Sequence, residues 1–310
     1  MPNDAIKAKS LWKIYNSKRN SITALKNLSL TMEKGKITTL LGRNGAGKTT
    51  FLRIAATQLL PTKGEIEVLG YDAISQPYEI RERIAVIPQD AKPLLFPSPI
   101  EYIVAVLTMR GFSFGEARIR AKEVLRELEF SEADMNKAAW DLSGGFQRRL
   151  LLAVVLAMNV ELIMLDEPTI GLDPLARRDL WGKIALLKKK GKTILLTTHY
   201  MDEAEKLSDK VIIIHNGEKI IEGEPSSLLS NFKWKRKVEV LDECDRDMMM
   251  KFGEVHGSMP PYIIYLNDDL ESAISYLNER GCRAVGSVTT LEDVFLRSVG
   301  EEKWKLIGEE

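Results

Sequence analysis

The octapeptide Gly42-Arg43-Asn44-Gly45-Ala46-Gly47-Lys48-Thr49 constrains this chain more than any other feature. It fits the pattern G-x-x-x-x-G-K-[ST], and its flanks are the ones that pattern needs. Ile37-Thr38-Thr39-Leu40-Leu41 before it reads as a buried strand, and residues 49–58 after it read as a helix. Glycines without a Cβ let backbone N–H groups curl round phosphate oxygens, and the helix N-terminus adds partial positive charge. In such a loop Lys48 reaches the outer phosphates and the Thr49 hydroxyl ligates Mg²⁺. Gly42, Asn44, Gly45, Ala46, Gly47, Lys48, Thr49 and Thr50 are therefore the candidate phosphate-binding residues.

A strand, loop and helix of this kind belong to a sheet whose strand ends converge on a ligand. Further β-rich apolar runs occur at 84–87, 162–165, 193–197 and 211–214, mostly separated by helical stretches, which predicts a mainly parallel sheet covered by helices. Residues 5–35 read as short strands with turns, and Asn216-Gly217 reads as a two-residue hairpin turn. Residues 90–140 break the alternation: a Pro-rich entry leads into two charged helical stretches, roughly 100–110 and 115–130, read as a helical subdomain inserted in the sheet domain. After Pro225-Ser226-Ser227 comes the basic run 233–237, read as a solvated linker. Three apolar runs with helices between and after them then predict a small α+β unit over 235–310.

The run Leu162-Ile163-Met164-Leu165 ends in Asp166-Glu167. A buried strand ending in two acids needs a reason, because unpaired buried charge is costly. Beside a phosphate loop the reason is chemical: Asp166 orients the Mg²⁺ shell and Glu167 polarises the water that attacks a γ-phosphate. Leu142-Ser143-Gly144-Gly145-Phe146-Gln147 opens a helical stretch, with Ser143 a good N-cap and two glycines leaving the helix N-terminus bare.

The order of these motifs resembles the ABC ATPase family over about residues 5–225. Residues 42–49 are similar to Walker A, 142–147 to the family signature and 162–167 to Walker B. Tyr15 resembles the aromatic that stacks on adenine. Gln89 resembles the Q-loop glutamine that touches Mg²⁺ and signals to the membrane subunit. Leu172-Asp173 resembles the D-loop, and His199 the switch histidine at the γ-phosphate. Arg43, Phe146 and Ile170 stand where Pro, Gln or Met, and Ser are common; none removes a phosphate or metal ligand. The resemblance implies a P-loop NTPase-type α/β fold with an antiparallel N-terminal β subdomain and an ATP-binding domain over 1–230 with a helical subdomain at about 90–155; the α+β unit read after it makes 231–310 an accessory domain. It implies an ATPase using Mg²⁺, with Glu167, His199 and Lys48 catalytic, Thr49, Gln89 and Asp166 at the metal, and Ser143, Gly144 and Gly145 closing over nucleotide held by a second subunit. The implied partners are that second subunit, as a homodimer, and integral-membrane permease subunits. Thr290-Leu291-Glu292-Asp293-Val294-Phe295-Leu296 resembles the tail of ATPases serving drug, polysaccharide and sodium exporters, which points to export.

Composition agrees with this reading. The 310 residues are 45% hydrophobic, enough for a sizeable core. Lys+Arg and Asp+Glu both number 44, so the basic excess usual in nucleic-acid binders is missing and no nucleic-acid partner is expected. Ribosome- or DNA-directed relatives of this family usually carry two cassettes or a long coiled coil, and the 95 residues between Lys48 and Ser143 leave no room for the latter. Glu167 and His199 argue against a sensor that binds ATP without hydrolysing it. The N-terminus has no apolar core, so no signal peptide is expected. The longest apolar run, residues 150–160, is shorter than the ~20 residues a membrane span needs. Membrane attachment is therefore expected to be peripheral, at the cytoplasmic face. Cys244 and Cys282, 38 residues apart with no CxxC spacing, are expected to form neither a disulfide framework nor a zinc site.

Overall fold

A computed structural model describes residues 3–16, 21–93, 96–266 and 269–300. Strands β1 (Asp4–Asn16) and β2 (Ser21–Glu33) pair antiparallel and are long, 13 residues each, rather than a set of short strands. Strand β3 (Ile37–Leu41), buried throughout, feeds the phosphate loop and α1 (Lys48–Ala55). Strand β4 (Lys63–Val68) pairs with the other edge of β1 and β5 (Tyr71–Asp72) completes a sheet of order β2-β1-β4-β5. Helix α2 (Pro77–Arg83) leads into β6 (Ile84–Ile87).

A run of helices follows: α3 (Pro99–Met109), α4 (Phe114–Glu127), α5 (Glu132–Asn136) and α6 (Gly144–Met158). Ser98 with Glu101, and Ser113 with Glu116, form reciprocal capping boxes that fix where α3 and α4 begin. The chain then returns to alternation: β7 (Leu162–Asp166), α7 (Pro174–Lys189), β8 (Thr193–Thr198), α8 (Met201–Leu207), β9 (Lys210–His215) and β10 (Glu218–Gly223). The resulting sheet has the order β10-β9-β3-β8-β7-β6, and its pairs β9–β3, β3–β8, β8–β7 and β7–β6 are parallel. Asn216-Gly217 turns between β9 and β10 with φ of 49° and 80°, as a type I′ hairpin requires.

Period-two alternation places this sheet between two cores. Ile163, Leu165, Ile194 and Leu196 face the core built by α3 to α7, whereas Met164, Leu195 and Leu40 face the core shared with α1 and the antiparallel sheet. Both faces are buried, which explains why these strands read as continuous apolar runs.

The chain divides into two compact units, one up to Lys219 and one from Ile220. The second holds α9 (Pro225–Asn231), β11 (Arg236–Val240), α10 (Arg246–Met250), β12 (Glu254–His256), β13 (Tyr262–Leu266), α11 (Leu270–Asn278), β14 (Ala284–Val288) and α12 (Leu291–Val299). Its sheet has the order β12-β13-β11-β14 and is antiparallel throughout. Lys237 does not belong to a solvated linker: it lies on β11 and its ammonium is buried against Asp293 at 3.0 Å.

Cys244 and Cys282 correct the sequence expectation, for they are joined as a disulfide. The register explains the pairing. Val240 on β11 opposes Ala284 on β14, the Leu241 N–H donates to the Arg283 carbonyl, and Arg283 forks onto Asp242. Residues just beyond β11 are therefore brought beside those just before β14, a proximity that a separation of 38 residues conceals.

Candidate active site

The phosphate loop is shaped by backbone crowding. A Cβ on Gly47, at φ 106°, would sit 2.5 Å from the Ala24 carbonyl oxygen, and one on Gly42 would sit 2.5 Å from that of Ile214. Only glycine satisfies both positions. The Ala46 carbonyl accepts from the Gly217 N–H at 3.0 Å, which ties the loop to the β9–β10 turn. Helix α1 begins directly at Lys48 with no side-chain cap and no acid in its first turn, so its N–H groups remain open to an anion. Asn44 and Gly45 are exposed on the loop, Ala46 is buried beneath it, and Thr50 follows Thr49 on the first turn of the helix.

Lys48 is almost wholly buried. Its ammonium donates to the carbonyls of Gly42 (2.7 Å) and Arg43 (3.2 Å) and pairs with Glu167 at 3.0 Å. Glu167 also meets His199: Glu167 Oε2 lies 2.9 Å from His199 Nδ1. One buried carboxylate thus bridges the loop lysine and the histidine just past β8. Parallel pairing creates this contact. Asp166 opposes Thr197 in register, so the residues that follow each strand end emerge side by side. Glu167 has a φ of 45°, a conformation that costs a non-glycine residue about 1–3 kcal/mol. Its N–H donates to the carbonyl and hydroxyl of Thr197, at 3.0 and 3.1 Å, which hold it there.

Asp166 accepts from the Thr49 hydroxyl at 3.1 Å and from the Thr197 hydroxyl. Thr49 and Asp166 offer hard oxygen donors at the base of the phosphate loop, a set that suits Mg²⁺ completed by phosphate oxygens and water. Among the described residues no cluster of three or more His, Cys, Asp or Glu forms a self-sufficient metal cage.

The other candidate residues make none of the described hydrogen bonds or ion pairs to this cluster. Gln89 is held through its carbonyl, which accepts from Arg148 at 2.7 Å; the same guanidinium reaches the Ala91 carbonyl at 3.1 Å. Burial lowers the Arg148 pKa, with Asp90 opposing. Ser143 caps α6 by accepting from the Phe146 N–H, and Ser143 and Gly144 are exposed. A Cβ on Gly145 would come within 3.2 Å of Ala176. None of the described hydrogen bonds or ion pairs joins residues 143–145 to Lys48, Asp166, Glu167 or His199. Tyr15 is 39% exposed near the end of β1, with the Lys13 ammonium 5.2 Å from its ring centre. Asp173 caps α7 through the N–H groups of Leu175 and Ala176.

Sequence reasoning missed Thr197 and Arg148. A threonine inside a buried strand beside an acidic strand end was the available signal for the first. Arg148 carried none, because its partners are backbone carbonyls distant in sequence.

Residues 25–170 match the family model described as ABC transporter. The chain belongs to that family and is an ATP-binding, ATP-hydrolysing subunit of an ABC transporter. It is 36% identical over 309 residues to the Nod factor export ATP-binding protein I of Rhizobium meliloti (strain 1021), covering 97% of this chain and 90% of that one. It is 37% identical over 230 residues to the daunorubicin/doxorubicin resistance ATP-binding protein of Streptomyces peucetius, covering 74% and 68%. Among solved structures it resembles a dimeric ATP-binding cassette in a post-hydrolysis state bound to ADP and Pi, with a TM-score of 0.64, 28% identity and coverage of 71% and 98%. Among the described residues no helix is long and apolar enough to cross a membrane.

Proposed function

We propose that this chain powers an exporter from the cytoplasmic face of a membrane, as one of two identical ATPase subunits docked on integral-membrane permease subunits. The observation that carries its chemistry is the buried Glu167 bridging Lys48 and His199. ATP phosphates compete with Glu167 for the Lys48 ammonium. Once Lys48 turns to the β- and γ-phosphates, Glu167 is free to accept a hydrogen bond from the attacking water and align it with the γ-phosphorus. The water oxygen bonds to phosphorus as the bond to the β–γ bridging oxygen breaks. His199 contacts the γ-phosphate and reports its presence to the segment after β8. Thr49 and Asp166, with Gln89, would hold Mg²⁺, which when bound neutralises charge on the β- and γ-oxygens.

Tyr15 stacks on adenine, and Ser143, Gly144 and Gly145 close over nucleotide held by the other subunit. The exposed, bare N-terminus of α6 supports that role, since it presents N–H groups without a competing acid. The export direction is supported by the names of the relatives and by the tail at 290–296. The proposed domains are 1–230 for ATP and 231–310 as an accessory unit.

The decisive variant is Glu167→Gln. It keeps shape and nucleotide binding but lowers turnover by about 10²–10⁴-fold, measured as phosphate release, and accumulates an ATP-bound dimer on size exclusion. Hydrolysis at the wild-type rate would overturn the role of Glu167. Affinity capture of the tagged chain from detergent-solubilised membranes tests the partner: a stoichiometric polytopic protein supports the exporter reading. Recovery only with ribosomes or nucleic acid refutes it.

A further inference from the structure

Glu203 lies outside every motif above, yet its carboxyl is fully buried in the first turn of α8, four residues after His199. Glu203 Oε1 accepts from Trp181 Nε1–H at 2.9 Å, whereas Oε2 has no hydrogen-bond partner. The hydroxyls of Thr198 and Thr169 lie near enough to act on the carboxyl without making a hydrogen bond to Oε2, and the one charged group acting on it is the anion Asp202. Burial pushes its pKa above the ordinary carboxylate value, opposed by Thr198, Trp181 and Thr169. Oε1 is engaged by the indole, which leaves Oε2 as the oxygen turned toward the neighbouring hydroxyls. The Thr169 hydroxyl is itself buried without a partner.

The neighbours of Glu203 come from the three segments that frame hydrolysis. Thr198 precedes His199, and its hydroxyl accepts from the Tyr200 N–H at 3.0 Å, shaping the turn that carries the histidine. Thr169 follows Glu167 by two residues, and its carbonyl accepts from Leu172 in the turn before Asp173. Trp181 lies on α7, the helix that Asp173 caps. Every one of these groups is buried, so their spacing is set by packing and not by solvent.

We propose that Glu203 is a positioning residue for ATP hydrolysis, a buried hub that holds the His199 turn in register with the turn after Glu167 and with α7. It touches no reacting atom and acts by keeping His199 Nδ1 at Glu167. The inference rests on the role proposed above for His199. Misplacing such a group by about 1 Å costs up to 10²-fold in rate without weakening ground-state binding.

The test compares kcat and KM for ATP in E203A, E203Q, H199A and the double variant E203A/H199A, with thermal melts as a control. We expect E203A to lose about ten- to a hundredfold in kcat with KM held within about twofold. E203Q, neutral and of the same shape, recovers most of that loss. In the H199A background, E203A adds less than about twofold, because both changes act through one group. Should E203A fail to fold, Trp181→Phe replaces it in the same comparison: it removes the indole donor together with some buried ring volume, and the thermal melt reports the packing part of the loss. Wild-type kcat in E203A, equal losses in E203Q and E203A, or losses that multiply in the double variant each overturn the inference. If H199A hydrolyses ATP at the wild-type rate, the reading of His199 fails first. If H199A is impaired and E203A is not, only the inference about Glu203 fails.

Discussion

Asp293→Ala should unfasten the C-terminal helix, and the size of the effect follows from the partners of one carboxylate. Asp293 is fully buried. Its Oδ1 accepts from Lys237 Nζ at 3.0 Å and from the Tyr265 hydroxyl at 2.9 Å; its Oδ2 accepts from the Thr290 N–H at 2.7 Å and the Thr290 hydroxyl at 3.0 Å. Truncation leaves the Lys237 ammonium and the Tyr265 hydroxyl buried without that acceptor, and removes half of the capping box that starts α12. Breaking a buried ion pair from one side costs about 3–5 kcal/mol, and losing a cap costs about 1 kcal/mol. These terms share atoms and do not add. Glu239, 3.4 Å from Lys237 and more exposed, retains part of the pairing. We therefore expect about 3–4 kcal/mol of lost local stability. That is a large share of the roughly 5–15 kcal/mol that holds a domain together. Amide exchange of the full chain, followed by mass spectrometry, reads this directly. Peptides from β11, β13 and α12 should exchange about 10²–10³-fold faster, at 1.4 kcal/mol per decade, while those from β3, β7 and β8 are unchanged. Replacing both partners with apolar residues, Lys237→Met with Asp293→Leu, should restore much of the protection, because no orphaned charge remains. Unchanged exchange in Asp293→Ala would refute the argument, as would a double variant as unstable as the single one.

Two further outcomes follow from the site. Gly47→Ala forces a Cβ into the Ala24 carbonyl and into an unfavourable φ, so nucleotide affinity, measured by fluorescence titration, should fall at least about tenfold, with roughly 1–3 kcal/mol lost in stability; unaltered affinity would mean that the loop relaxes freely. Thr197→Val keeps shape but removes the hydroxyl shared by Asp166 and the Glu167 N–H, while the Thr197 carbonyl and the Thr49 hydroxyl still engage them, so kcat should fall about tenfold and stability, read from the melting curve, by the ~1.5–3 kcal/mol of a lost hydrogen bond to a charged group; wild-type kcat would show that Asp166 and Glu167 are held without it.

Much of the fold was legible because local and global signals coincide here. The phosphate loop carries its own strand and helix, and the two-faced burial of β7 and β8 shows as the apolar runs 162–165 and 194–196, which end in Asp166 and in Thr197-Thr198. Even the tail at 290–296 has a physical reading: Thr290 and Asp293 form the capping box, and Leu291, Val294 and Phe295 are buried beneath it. What stayed hidden arises from register. The Cys244–Cys282 bond exists because β11 and β14 are antiparallel neighbours, and β12, only three residues long, carries too little pattern to be read. Lys237 sat in a basic run that looked solvated, yet of the basic side chains in that run only Lys237 is buried, on the face of β11 opposite Val238 and Val240, where Asp293 receives it. The candidate site divides in the same way. Motifs named Lys48, Asp166, Glu167 and His199 one at a time, but the bridge among them depends on Asp166 standing opposite Thr197 in a parallel pair. Glu203 is the extreme case: a charged residue on a short helix looks like a solvated face, and only packing shows that α7, β8 and the turn after β7 have closed around it. Catalytic groups are displayed at strand ends and leave motifs, whereas the groups that hold them in place draw their partners from several elements and leave none.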